Sequence, residues 1–466
     1  MGETGEYVNG LAFKKTAWKE EGRPIVRIQN LTDPSKPFNY TDLEADDRNL
    51  VSRGEILVSW SATLDAFLWR GPEAVVNQHI FKVIPDPKVV DRGFLYFQLK
   101  LVIEEMTRSE HLHGSTMKHI NRRPFLAHEF LLPPLPEQRL IVEAIDTQFS
   151  LLDSATQSLE QAKRNVERAR ASILKAAVEG RLVPTEAALA RKEGREYEHA
   201  SGLLQRILAE RKARHEEDQK DAKRKKKYKE PVKPDTDGLP EPPEGWVWAT
   251  VDQLADGSNY GLGIGPFGSN LKVSDYRDEG VPLVFVRHVR AAQFSNLDDK
   301  FVSGAKAKSL AAHSVMGGDI LVTKMGDPPG DAALYPRGRP QAIITADVIK
   351  WTAPSFMDSR FLVFATRSPL CQQQIQGITK GVAQKKVSLG RFAKIAYPLP
   401  PLAEQHRIVD EIDRRFSILD AVEAAIDLNL RRCERLRQAI LKWAFEGKLV
   451  QPEPTDVEPE PAEVAR

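Results

Sequence analysis

The sequence predicts an α+β chain made as a diverged tandem, two mixed α/β halves each followed by one long helix. Three observations predict it. A segment occurs twice, at residues 132–183 and 399–450, without a gap at an offset of 267 and with half its positions identical. Each copy follows a stretch of short apolar runs broken by Gly, Pro and Asp, the pattern of strands and turns. Each copy itself carries apolar residues at heptad spacing. Solenoids and propellers need three or more adjacent repeats. Two copies far apart imply instead a two-headed molecule with near two-fold internal symmetry.

The first half, 1–132, contains apolar runs at 24–28, 56–60 and 79–84 that read as strands, then a helical stretch near 92–106. The prolines Pro133 and Pro134 stop the preceding strand, and a helix is expected over 133–183. Glu137 falls in its first turn, where the helix dipole favours a negative charge, and Gly180 is placed as its C-terminal cap. A charged, partly helical linker is expected over 184–238, with helical periodicity at 203–214. Its basic block at 223–229 suits either a phosphate contact or a solvated run. The second half, 239–399, repeats the pattern with strands at 281–286, 320–324 and 343–351 and a helical stretch near 359–375. A second long helix over 400–450 follows, and the Pro/Glu-rich tail, 451–466, is expected to be disordered.

The heptad seam of the first helix is Val142, Ile145, Phe149, Leu152, Leu159, Val166 and Ile173. That of the second is Val409, Ile412, Phe416, Leu419, Ile426, Leu430 and Ile440. Duplication of the whole seam favours the two helices packing on each other, although each could also lie on its own half. Polar interruptions such as Arg170 and Arg437 would fix register. About 44 helical residues span about 66 Å.

The repeat extends into the halves themselves. Asp91, Phe94, Leu95 and Phe97 keep the same offset to Asp358, Phe361, Leu362 and Phe364, and Gly114 and Lys118 match Gly381 and Lys385. Further upstream, the run from Gly22 pairs with that from Gly280, and Gly54 with Gly318, in drifting register.

Composition bounds the function classes. The chain has 466 residues, enough for two to four domains; 41% are apolar and 28% charged, as in a soluble protein rich in charged helices. No apolar run reaches the length of a membrane span, and the polar start lacks a secretory signal. Cys371 and Cys433 are too few for a disulfide framework, so a cytoplasmic location is expected. The net charge is only +2, so any nucleic-acid contact must use local patches or share its charge with partner subunits.

Four motifs carry a family resemblance. They are the two Leu-Pro-Pro-Leu-x-Glu-Gln openings, the Glu-Gly-Arg/Lys-Leu-Val endings, the run from Glu193 to Glu198 leading into Leu203, and Leu239-Pro-Glu-Pro-Pro-Glu-Gly-Trp246-Val-Trp248. Through them nearly the whole chain resembles the specificity (S) subunit of type I DNA restriction–modification systems. The resemblance implies two target recognition domains in tandem, separated by two long antiparallel coiled-coil helices with a pseudo-two-fold. It implies recognition of a bipartite double-stranded DNA site by a chain that is not itself an enzyme. The expected partners are DNA, two methyltransferase subunits and motor–nuclease subunits. S-adenosylmethionine, ATP and Mg would belong to those partners, with no cofactor and no metal on this chain. Because the two halves differ in sequence, the two half-sites should differ. A stand-alone DNA-binding regulator and a DNA methyltransferase are the rival readings.

Candidate DNA contacts follow from residue type and matched position. After the strand at 56–60 come Ser59, Trp60 and Thr63; Thr323 and Lys324 follow its counterpart. Asn77, Gln78 and His79 form another polar cluster. Thr116 and Lys118 in one half match the region of Gln384, Lys385 and Lys386 in the other. Gln pairs bidentately with adenine, and Lys reaches guanine or phosphate. Asp327-Pro-Pro-Gly330 lacks the aromatic that adenine methyltransferases carry after this motif and reads as a turn. The letters Gly263-x-Gly265-x-x-Gly268 lack a following helix and read as a mobile loop suited to groove contact. One departure stands out. The second half opens on Gly245-Trp246-Val-Trp248, whereas the equivalent strand of the first would fall before Met1, so an upstream start is the expectation.

Overall fold

The repeated Leu-Pro-Pro-Leu-x-Glu-Gln motif explains how each long helix is fixed to its own half. In the computed structural model, residues 1–108, 119–218, 227–289, 293–295, 300–381 and 385–450 are described. Gln138 is 1% exposed; its amide donates to the carbonyls of Pro133 (2.8 Å) and Val89 (3.2 Å), and its side-chain oxygen accepts from the amide of Asp91 (2.7 Å). Asp91 in turn accepts from the amides of Gly93 and Phe94, starting the helix Arg92–Arg108. Gln405 repeats this, donating to Pro400 (3.0 Å) and accepting from Asp358 (3.3 Å), the N-cap of the helix Ser359–Arg367. One glutamine thus ties two helix starts together. Replacing Gln138 with leucine leaves three buried backbone groups unpaired, at about 1–3 kcal/mol each. A loss of roughly 3 kcal/mol or more in a urea melt is expected, and a loss below 1 kcal/mol would refute this role.

The chain divides into two compact units, 1–162 with 425 onward, and 163–424. In the first, the strands Gly5–Asn9, Ile80–Pro85, Ile56–Ser59 and Asp65–Leu68 make one antiparallel sheet in that order. A second sheet runs Asn39–Thr41, Arg23–Val26, Ala74–Val76, Leu50–Val51, with its central pair parallel. The second unit repeats both. Its strands Leu262–Ile264, Val348–Trp351, Ile320–Thr323 and Ala332–Leu334 form the first sheet. The second sheet is Tyr276–Arg277, Phe301–Val302, Val281–Val284, Ala342–Ile344 and Ser314–Val315, again with a parallel pair. A further two-stranded sheet, Val247–Thr250 with Ala396–Leu399, exists only in the second unit among the described residues.

Several elements differ from the sequence reading. The run 343–351 is two strands in different sheets, because Thr345 bonds back to Val284 and the chain turns before Val348. The stretch 359–375 is two helices, Ser359–Arg367 and Pro369–Gly377. They break at Ser368, whose hydroxyl caps the second while Pro369 occupies its first turn. The segment 184–238, expected as a linker, is built into the second unit. Its helix Ala200–Asp218 buries Ala200, Leu203 and Ile207 in the core that holds Trp246, Phe361 and Tyr397. Its shorter helix Glu186–Glu193 starts against the second long helix, the amide of Glu186 donating to the fully buried Glu404 (2.8 Å). Burial pushes the Glu404 carboxyl above the usual carboxylate range. Burial acts the same way on Glu186, but ion pairs with Arg195 and Arg407, both at 2.6 Å, outweigh it and hold its carboxyl below that range. Part of the basic block, 223–226, and the tail 451–466 lie outside the described residues.

The long helices are Leu135–Val178 and Leu402–Phe445. None of the fourteen seam residues is exposed. In the first unit, Ile145 shares a core with Ile440, Leu441 and Ala444 of the other helix and with Phe94 and Leu95 of its own head. Packing on the partner helix and packing on the head therefore coexist. Arg437 lies 4.5 Å over the ring of Phe149 and pairs with Asp153. In the second unit, Arg170 lies 5.3 Å over the ring of Phe416 and pairs with Asp420 (2.6 Å) and Glu423 (2.9 Å). These are equivalent residues exchanged between the two helices, as an isologous two-fold pairing requires. The contacts run from 153 to 170 on one helix as they fall from 437 to 420 on the other, so the helices are antiparallel. The two arginines at seam positions fix that register. Each exposed ion pair adds only about 0.2–1 kcal/mol, so they specify more than they stabilise.

Candidate nucleic-acid interface

The same backbone scaffold carries unlike side chains in the two units. In the first, the strand Ile56–Ser59 delivers the chain into a loop held from two sides. The amide of Trp60 donates to the carbonyl of His79 (3.3 Å), and its carbonyl accepts from Ile120 (3.0 Å). Ser61 bridges to His119. In the second unit, the amide of Lys324 donates to Asp347 (2.8 Å), its carbonyl accepts from Val387 (3.0 Å), and Met325 bridges to Lys386. Three segments distant in sequence converge in the same way twice.

In the first unit the convergence is aromatic. The ring of Trp60 lies 5.3 Å from that of His79, 6.1 Å from His119 and 5.9 Å from Phe81. The indole N–H of Trp60 and Nδ1 of His79 are buried without a hydrogen-bond partner among the described residues. Such an unmet group costs about 1–3 kcal/mol, and a base edge or phosphate oxygen would satisfy it. Gln78 and Thr63 are exposed beside them, with Ala62 at a positive φ of 61° turning the loop, and Asn77 is half-buried.

In the second unit the convergence is cationic. The ammonium of Lys324 donates to Ala346 (3.2 Å) and sits 5.0 Å over the ring of Phe267. Lys385 reaches Asp327 (2.8 Å), and Lys386 is exposed alongside. The Lys385–Asp327 pair is exposed on both sides, so it is weak and Lys385 exchanges readily to a phosphate or a guanine edge.

Two sequence candidates are corrected. Ser59 is 0% exposed and donates its hydroxyl to the carbonyl of Ser61 (3.1 Å). Thr323, 3% exposed, accepts from the amides of Gly330 (3.0 Å) and Asp331 (2.9 Å). Both end a strand and shape the loop that presents their neighbours, so neither offers its side chain outward. Thr116, Lys118 and Gln384 lie outside the described residues.

The structure also adds residues. Phe267 is 61% exposed in the run Gly265-Pro-Phe-Gly268, whose first part is strand rather than loop. A Cβ at Gly265 would stand 2.2 Å from the backbone of Thr345, so glycine is required for that close approach. The Gly-Pro-Phe-Gly run was the available signal; the partner lysine, 57 positions away, was not legible. His119 joins through its bridge to Ser61. The Asp327–Gly330 segment is a turn closed by Thr323. Among the described residues, no group of three His, Cys, Asp or Glu side chains is placed to hold a metal ion. Among them, too, no helix is long and apolar enough to cross a membrane.

Comparison with known proteins places these features. Residues 1–165 and 296–435 match the family model described as type I restriction modification DNA specificity domain. The chain is similar to the type I restriction enzyme EcoBI specificity subunit of Escherichia coli, 24% identical over 459 residues, covering 96% of this chain and 85% of that protein. It is similar to the EcoKI specificity subunit of Escherichia coli strain K12, 22% identical with 95% and 86% covered. A solved chain from work on complex assembly and conformational transition of the type I R-M system superposes with a TM-score of 0.58 at 14% identity, covering 96% of each chain. That likeness shows a shared fold.

Proposed function

The chain belongs to the type I restriction–modification DNA specificity family, and from that premise we propose that its two heads read the two halves of one bipartite, asymmetric double-stranded DNA site. It is the recognition subunit and not the enzyme; adenine methylation and cleavage fall to partner subunits. One observation carries the asymmetry. Identical backbone convergences hold Trp60, His79 and His119 in one unit and Lys324, Asp347 and Lys386 in the other. Unlike side chains on like scaffolds read unlike half-sites, so the full target is not a palindrome.

The partners in this reading are two methyltransferase subunits, which bring S-adenosylmethionine, and motor–nuclease subunits, which bring ATP and Mg. The assembly works on DNA in the cytoplasm. Two methyltransferases are favoured because Leu151 and Ile418, equivalent positions on the two helices, are both exposed, at 62% and 54%. The rival methyltransferase reading rested on Asp327, which serves a turn and pairs with Lys385. A stand-alone regulator would need no duplicated apolar helix surface.

Mapping methylated adenines across the genome with and without this gene tests the proposal. One non-palindromic bipartite motif should vanish with the gene. Substituting Lys385 and Lys386 with alanine should relax discrimination at one half-site by roughly 1–3 kcal/mol, tenfold or more, and leave the other intact. Equal weakening at both half-sites would assign these lysines to general phosphate binding.

A further inference from the structure

The two long helices open on the same motif but in different surroundings. Ahead of the second, Ala396–Leu399 is a strand paired antiparallel with Val247–Thr250, and every residue from Ile395 to Pro401 is buried. The equivalent stretch ahead of the first, 128–134, contains no buried residue; Leu131 is 81% and Leu132 42% exposed. Among the described residues no strand pairs with it. An unpaired backbone edge flanked by exposed leucines is a template for one more strand.

Two further observations outline what would cover it. Met1 stands where Val251 stands. Its nitrogen donates to the carbonyl of His128 (2.7 Å), as the amide of Val251 donates to that of Ile395 (3.1 Å). The position before Met1 is therefore in register with Glu129, as Thr250 is with Ala396. At the far end of the other helix, a Cβ on Gly180 would meet Pro243 at 2.6 Å and Trp246 at 3.5 Å, whereas one on the equivalent Gly447 would meet nothing within 4 Å. The space filled by an indole in the second unit is open in the first. Trp246 is 4% exposed and belongs to the core beneath, and Trp248 donates to the carbonyl of Pro240 (3.2 Å).

We propose that residues 129–132 form an open β-edge of the first head that takes one added antiparallel strand of the Gly-Trp-x-Trp kind, entering in line with the nitrogen of Met1. The strand satisfies the edge backbone, and its first indole fills the space beside Gly447. The leucines at 131 and 132 are then covered as Pro398 and Leu399 are.

The test uses the full chain with the sequence of residues 245–250 placed directly before Met1. Hydrogen exchange is followed at the amides of residues 130–132, together with the emission of the added indoles. Exchange should slow at least roughly tenfold relative to the unextended chain, and the indole emission should shift to the blue. A Leu131→Asp version of the extended chain should lose both effects while the second head keeps its own protection. Unchanged exchange on extension overturns the proposal. So does strong protection of 130–132 in the unextended chain, which would mean that the edge is already covered, by a second copy or another segment. These readouts do not involve DNA, so they stand or fall apart from the recognition proposal.

Discussion

Inserting three heptads into each long helix, between 162 and 163 and between 424 and 425, should lengthen the permitted gap between the half-sites by about one turn of DNA. These points lie on the boundary between the two units, so every contact inside each is kept, including Arg437 with Asp153 and Arg170 with Asp420. Because the helices are antiparallel and the insertions equivalent, the added heptads face each other and continue the seam. Twenty-one residues at 1.5 Å add about 31 Å, close to the roughly 34–36 Å of a helical turn. One heptad behaves differently. It adds about 10 Å, about three base pairs, and turns the helix face by only about 20°. Three base pairs turn the duplex by about a third of a turn, so the second reader meets the wrong side of the groove. A loss of about 100-fold or more is expected at every gap length. Selection from duplexes with randomised gaps measures both outcomes. Full binding at the original gap by the three-heptad chain would end the idea that the helices set the spacing.

The long-range plan was legible because it is written twice. Positions such as Gln138 and Gln405, or Phe97 and Phe364, stand out by repetition at fixed offset, and the heptads mark which face each helix buries. What escaped was set by contacts across sequence distance. The strand-like run 343–351 gave no sign of its break, because the turn is made by Thr345 bonding to Val284, sixty-one residues earlier. The charge-dense stretch after residue 183 reads as solvated, yet its few apolar residues, Leu203 and Ile207, all fall on the side that meets the second head. Among the candidate contacts, residue type alone could not separate Ser59 from Trp60 or Thr323 from Lys324. The last residue of a strand points inward and the next outward, and only the loop's hydrogen bonds reveal which is which.

Replacing Leu151 and Ile418 together with glutamate should leave the chain folded and able to bind DNA, yet abolish assembly with the methyltransferase subunits. A single exposed leucine on a helix is ordinary. The same exposure at equivalent positions of both helices, each followed one turn on by another exposed apolar residue, Ala155 and Val422, calls for a common cause. Neither residue belongs to a buried cluster of its unit, so substitution there should change stability by about 0.5 kcal/mol or less. A carboxylate forced into a desolvated interface centre costs 2 kcal/mol or more, about 30-fold in affinity per site. The single variants make the sharper case. Leu151→Glu alone should yield a complex holding one methyltransferase in place of two, and Ile418→Glu the other such complex, each resolved by the mass of the assembly. If the double variant still recruits two methyltransferases at unaltered affinity, the duplicated apolar positions serve some other contact, and the stoichiometry must be set elsewhere on the chain.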